Sequence, residues 1–237
     1  MGIFIYTFFH LSFHTQYFCL MWKEVWTLLK KDVTLEWRQR YSINGILVYV
    51  IATVFVSYLS FRIISPAAWN ALFWIILLFS AVTATAKSFM AESRGRQLYY
   101  YSVAGPQSII LAKIIYNVLF LWLLAVLSIL FYSLWLGNPV EDFLFFLLTV
   151  LLGCTGFACA FTLLSGIASK TLNGSMLMPV LCLPLIIPLL LVVIRASKTA
   201  MDGLDRSLLT DDFIVLISLD GIFVILSWVL FPFVWKD

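Results

Sequence analysis

The chain has 237 residues, of which 63% are hydrophobic and only 11% are charged, and its formal net charge is +3. Soluble globular domains carry roughly 25% charged residues, so this composition excludes that class and predicts a membrane protein. The 15 basic residues form no dense basic patch, which excludes a nucleic-acid partner.

Residues 1–20 contain no Lys, Arg, Asp or Glu and therefore lack the basic start of a signal peptide. We interpret them as a doubtful N-terminal extension that arises from a mis-assigned start, with translation beginning at Met21. If they are translated, we expect them to be membrane-embedded or disordered. His10 and His14 have a spacing that suits metal or haem ligation on a helix, but they fall within this doubtful segment. Residues 21–237 are predicted to form a single domain.

Residues 22–38 have the pattern of an amphipathic helix, with apolar side chains on one side and lysines on another. Tryptophans opposite lysines are typical of a helix that lies in the membrane interface. A soluble helix packed on a partner is the alternative. The predicted apolar side consists of Trp22, Val25, Trp26, Leu29, Val33 and Trp37.

Six apolar stretches follow, each close to the roughly 20 residues that cross a hydrocarbon core. The predicted fold is therefore an all-α polytopic membrane protein with six transmembrane helices after an interfacial helix. In the fourth span, Gly153, Gly156 and Ala160 predict that a neighbouring helix approaches closely. The six spans are predicted at residues 43–61, 66–86, 114–136, 143–168, 176–194 and 213–235.

The distribution of Lys and Arg predicts the orientation of the chain. With the N-terminus inside, the inner side holds eleven of the 15 basic residues, including Lys87 and Lys113. The outer side holds the other four, which are Arg62, Arg195, Lys198 and Arg206. Both termini and the polar segment 87–113 are thus predicted to be cytoplasmic.

The polar segment 87–113 separates the second and third spans and is the first candidate site. It carries four cations and one acid, Glu92, and the turn Gly105-Pro106 closes it. A soluble partner is expected to bind here, although a solvated loop end is the alternative for its charges. The candidate residues are Glu92, Arg94, Gly95, Arg96, Gly105 and Pro106.

Two further candidate functional features lie within the predicted membrane spans. Pro179, Pro184 and Pro188 predict that the fifth span is kinked or broken, or else they only shape its packing. Asp220 in the sixth span would be costly if it faced lipid, so it is a functional candidate by default. It is interpreted as lying near the outer end of its span, from which it could reach the interface.

Catalysis is not predicted from this sequence. It contains no phosphate-binding G-x-x-x-x-G-K-[ST] loop, no H-E-x-x-H and no embedded cluster of carboxylates. Cys19, Cys154, Cys159 and Cys182 form no C-x-x-C pair and are interpreted as packing residues. We therefore expect a protein that is not an enzyme and has no metal site.

An interfacial helix before six spans, with a polar cytoplasmic segment after span 2, resembles permeases of the ABC-2 type. Residues 89–115, FMAESRGRQLYYYSVAGPQSIILAKII, are similar to the corresponding loop of the heme exporter protein B (CcmB) family of cytochrome c maturation. Residues 168–191, ASKTLNGSMLMPVLCLPLIIPLLL, and the ending LFPFVWKD also resemble that family. The resemblance covers residues 21–237.

The resemblance implies the membrane subunit of an ABC complex in the bacterial inner membrane. ATP would be hydrolysed by a separate CcmA-like ATPase subunit docked on the segment 87–113. The other implied partners are a second copy of the chain, a haem-handling membrane protein and a periplasmic haem chaperone. Haem would be the transported or handled group, with no resident cofactor implied. The alternatives are a scaffold that moves no solute and a generic ABC-2 exporter of lipid or drug.

Overall fold

The computed structural model describes seven helices and no strand within residues 2–39, 41–61, 63–90, 104–169, 174–203 and 206–236. Side chains are described for residues 20–38, 44–61, 63–86, 104–169, 181–203 and 210–234. This confirms the all-α prediction. The helices are α1 (Gly2–Gln39), α2 (Tyr41–Ser60), α3 (Pro66–Met90), α4 (Pro106–Leu136), α5 (Phe143–Ala168), α6 (Gly174–Met201) and α7 (Arg206–Lys236).

The chain is a multi-pass membrane protein, since five of the described helices are long and apolar enough to cross a membrane. They are Pro66–Ala86, Pro106–Leu136, Phe143–Ala168, Leu181–Met201 and Thr210–Val234. The first predicted span corresponds to α2, whose stretch Asn44–Ser60 is apolar but shorter.

Three helices begin well before their predicted starts, and α7, which begins at Arg206 and not near residue 213, is one of them. The helix α1 starts at Gly2, so the predicted amphipathic helix is the second half of a 38-residue helix and is continuous with residues 2–20. The helix α4 starts at Pro106, because proline suits the first helical position and the preceding Gly105 is extended. The last part of the predicted polar segment is therefore the beginning of a membrane helix.

The helix α5 lies at the centre of the bundle and packs against α3, α4, α6 and α7. Its two mid-helix glycines permit this packing. A Cβ atom on Gly153 would lie 2.7 Å from the Trp74 ring and 2.9 Å from Val193, and one on Gly156 would lie 2.8 Å from Leu189. The predicted close approach of neighbouring helices to α5 is therefore found at both glycines.

Buried polar side chains join the helices as well. Trp74 Nε1 of α3 donates to Ser197 Oγ of α6 at 2.9 Å, and Ser197 Oγ lies 3.0 Å from Asn70 Oδ1. Between α4 and α5, Asn117 Nδ2 donates to Thr162 Oγ1 at 2.7 Å. Such bonds keep polar groups satisfied where no water is present.

The fifth span is one uninterrupted helix, Gly174–Met201, so it is not broken at its prolines, while the predicted kink stays a prediction. Each proline removes only one backbone N–H, and the packing of Leu189 and Val193 in the core still holds the helix together. Pro184 and Pro188 are exposed on its outer side. The side chain of Pro179 lies outside the described residues.

We predict that Gly153→Ala lowers stability, because its new methyl group collides with Trp74 and Val193. Overpacking of this kind costs about 1–3 kcal/mol. Thermal unfolding of the purified protein in detergent measures the effect. Gly221→Ala is the matched control, since no atom lies within 4 Å of a Cβ there. Equal melting temperatures for the two variants would contradict this account of α5.

Candidate functional site

The helix α1 packs against the beginning of α4, which is also the last part of the segment 87–113. Its inner side combines the buried Val25 and Leu29 with the acids Glu24, Asp32 and Glu36. These acids are spaced by eight and four residues, so they follow one side of a helix. We call this contact between the three acids and residues 105–116 the α1–α4 contact.

Glu24 binds the first turn of α4. Its Oε2 accepts a hydrogen bond of 2.7 Å from Ser108 Oγ and a longer one of 3.4 Å from the Gly105 backbone N–H. The first N–H groups of a helix have no partner within the helix and carry a partial positive charge. A carboxylate supplied by α1 therefore caps α4, and the cap joins the two helices.

Asp32 and Lys113 form a buried ion pair two turns further along α4. Lys113 Nζ lies 3.2 Å from Asp32 Oδ2, and each side chain is only 7% exposed. Lys31 Nζ approaches the other oxygen, Oδ1, at 3.0 Å. Because removing one member of a buried pair leaves an uncompensated charge, this contact strongly favours one register between α1 and α4.

Glu36 continues the contact toward the interior of the bundle, where it lies beside Tyr116 of α4. Its Oε1 is buried and has no hydrogen-bond partner among the described residues. The α1–α4 contact thus contains polar groups along about three turns of α4. A displacement of the beginning of α4 must move α1, or else break these bonds.

The opposite side of α1 is exposed and aromatic, with Trp22, Trp26 and Trp37 all facing outward. Lys30 Nζ lies 5.6 Å from the centre of the Trp26 ring. Exposed tryptophans beside a lysine suit the membrane interface. The predicted apolar side is therefore divided, since Val25 and Leu29 face the protein and the tryptophans face away from it.

The structure brings only part of the predicted docking site into this contact. Gly105 and Pro106 lie at the beginning of α4, beside Glu24. Glu92, Arg94, Gly95 and Arg96 lie outside the described residues. The sequence analysis missed Glu24, Asp32, Ser108 and Lys113, although the acids at helical spacing and a lysine next to an apolar run were available signals.

Asp220 lies elsewhere, in the middle of α7, and the prediction that it is near the outer end of its span is wrong. The span is Thr210–Val234, so Asp220 is ten residues, or about 15 Å, from its first residue. Its side chain is buried and faces Gly156, near the middle of α5. The predicted span began too late because Asp211 and Asp212 suggested a loop.

Metal-ligating residues are not grouped in the part of the chain that the structure describes. The side chains of His10 and His14 are outside that part, so the structure does not test their predicted spacing. Cys154, Cys159 and Cys182 are buried free thiols that pack in the core.

We predict that Lys113→Met destabilises the protein by about 3 kcal/mol, the lower end of the range for breaking a buried pair, because Lys31 still faces Asp32. Lys30→Met is the matched control. Lys30 is exposed over Trp26, so its loss is expected to cost less than about 1 kcal/mol. Unfolding in detergent measures both, and similar losses in the two variants would contradict a structural role for the pair.

Comparison with known proteins identifies the family. The model described as CcmB protein matches residues 23–235, which is most of the chain. No curated protein matches the sequence. The matched region includes the α1–α4 contact, the central helix α5 and Asp220. The multi-pass membrane architecture and this match agree with the resemblance found in the sequence, and the chain belongs to the CcmB family of heme exporter membrane proteins in cytochrome c biogenesis.

Proposed function

We propose that this chain is the membrane subunit of an ABC complex, and that a separate ATPase subunit binds its segment 87–113. The observation that carries the proposal is the α1–α4 contact. Glu24 caps α4 at Gly105 and Ser108, in the last part of that segment, and the buried pair between Asp32 and Lys113 lies at its end. A force applied to the segment therefore reaches two helices at once.

The mechanical consequence follows from the strength of the two polar contacts. When the ATPase closes on ATP, it displaces the segment and with it the first turn of α4. The buried ion pair and the carboxylate cap resist separation, so α1 and α4 move together as one body. Because α4 packs on α5, the displacement continues into the centre of the bundle.

The family supports haem as the group on which this movement acts. In the proposed arrangement two copies of the chain bind two ATPase subunits at the cytoplasmic side of the bacterial inner membrane, with both termini cytoplasmic. A haem-handling membrane protein and a periplasmic haem chaperone are the further partners. The chain itself catalyses no reaction, since ATP is bound and hydrolysed by its partner.

A second candidate is that ATP releases haem-loaded chaperone from the neighbouring membrane protein and that no haem crosses this chain. The composition supports this second candidate, because histidine is a common haem ligand and the only two histidines of the chain lie within residues 1–20. Methionine or tyrosine can ligate haem, but the sequence gives no obvious pair. A generic exporter of lipid or drug is the remaining alternative.

We predict that Glu92→Ala, or Arg94→Ala combined with Arg96→Ala, abolishes binding or stimulation of the ATPase while the protein still inserts normally. Exposed charges contribute about 0–1 kcal/mol to stability, whereas a charge buried against a partner contributes roughly 2–5 kcal/mol to binding. Co-purification with the ATPase and its turnover are the measurements, together with the level of c-type cytochromes.

The control for this experiment is Asp202→Ala, an exposed acid after α6 that is predicted to lie on the outer side. It should leave ATPase binding and cytochrome levels unchanged. If the wild-type chain brings down no ATPase, the proposed complex is wrong. If it does so but the loop variants bind and stimulate the ATPase normally, the docking site lies elsewhere.

A measurement of haem flux distinguishes haem transport by this chain from release of haem-loaded chaperone. We predict ATP-dependent accumulation of haem in proteoliposomes that contain the chain and its ATPase, and none with an ATPase that cannot hydrolyse ATP. Release of haem-loaded chaperone without accumulation would support the second candidate. Accumulation of a lipid or drug in place of haem would support a generic exporter.

A further inference from the structure

The side chain of Asp220 is buried within the helix bundle, where its carboxyl group faces α5. Asp220 is only 8% exposed, and its Oδ1 is buried without a hydrogen-bond partner among the described residues. The nearest part of α5 is Gly156, where an added Cβ would lie only 2.6 Å from Oδ1. The glycine therefore makes the space that this carboxyl group occupies.

The helices packed against α7 present no cation to Asp220 within the described part of the chain. On α5 its titratable neighbours are Cys154 and Cys159, and on α6 the residue that shares the Gly156 contact is the apolar Leu189. The other titratable residues on the packed faces of α6 and α4 have other contacts or lie away from this site. They are Cys182 in the apolar core, Arg195 paired with Asp212, Lys113 paired with Asp32, Tyr116 beside Glu36, and Tyr132, whose ring packs on Trp69.

A second buried aspartate on the same helix provides a direct comparison. Asp212, two turns before Asp220, is as well buried, and its Oδ2 also has no hydrogen-bond partner among the described residues, but its Oδ1 lies 3.0 Å from Arg195 Nη2. Among the described residues, Asp212 near the end of the span thus has a counter-ion and Asp220 in the middle has none. Along the helix, Asp220 is about 15 Å from Thr210, the first residue of the span.

An ionised carboxylate that is buried without a cation beside it is strongly unfavourable in an apolar surrounding, and the neutral acid is much less so. We propose that Asp220 is a proton-binding site, and that it is the neutral carboxylic acid while α7 packs on Gly156. Loss of the proton then requires the carboxyl group to leave this contact and reach water or a cation. This inference does not depend on the identity of the transported group.

Infrared spectroscopy of the protein in lipid nanodiscs at neutral pH tests the proposal. The difference spectrum between wild type and Asp220→Asn should contain the C=O stretching band of a protonated carboxylic acid. Asp212→Asn is the matched control, and its difference spectrum should contain only carboxylate bands because Asp212 is paired with Arg195. A difference spectrum for Asp220→Asn that contains only carboxylate bands would overturn the proposal.

A second measurement needs no substitution at position 220. Labelling the aspartate side chains of the wild-type protein with ¹³C should shift the acid band. Gly156→Ala should then move or remove that band, since its methyl carbon would lie only 2.6 Å from Oδ1 and must displace it. The absence of an isotope-sensitive acid band, or a band that Gly156→Ala leaves unchanged, would also count against Asp220.

Discussion

The close approach of helices around α5 is the constraint on which the rest of the bundle depends. Without hydrophobic attraction between helices in lipid, packing at short range is what holds them together. Gly153 and Gly156 let Trp74 of α3, and Val193 and Leu189 of α6, reach the backbone of α5, so two other helices contact it closely at these glycines. A larger side chain at either position would separate these helices, and one at Gly156 would also remove the space that Asp220 uses.

The α1–α4 contact extends this packing to the edge of the membrane by different means. Its apolar part is small, and its specificity comes from charges, with Glu24 at the beginning of α4 and Asp32 two turns later. Buried charges are costly unless paired, so a shift of one residue between the helices would leave several groups unsatisfied. The arrangement favours a rigid connection more than a strongly stabilising one.

Apolar stretches in the sequence were sufficient to predict the helical class and most of the spans, because hydropathy reports directly on burial in lipid. Hydropathy does not predict which side chains of different helices pair with each other. Lys113 and Asp32 are 81 positions apart, and only the fold shows that they meet. The continuity of α6 through its prolines and the depth of Asp220 were mispredicted for a related reason, since tertiary packing outweighs local signals there.

The hydroxyl group of Ser197 has one proton but lies near two acceptors, at 3.0 Å from Asn70 Oδ1 and 3.1 Å from the Ile194 carbonyl oxygen. While it accepts from Trp74 Nε1, it can donate to either of them by rotating about a single bond. The junction of α3 and α6 therefore has two hydrogen-bonding arrangements of similar geometry. A small sliding movement between these helices can exchange one hydrogen bond for the other without leaving the hydroxyl unsatisfied. This junction can therefore adjust within an otherwise closely packed bundle.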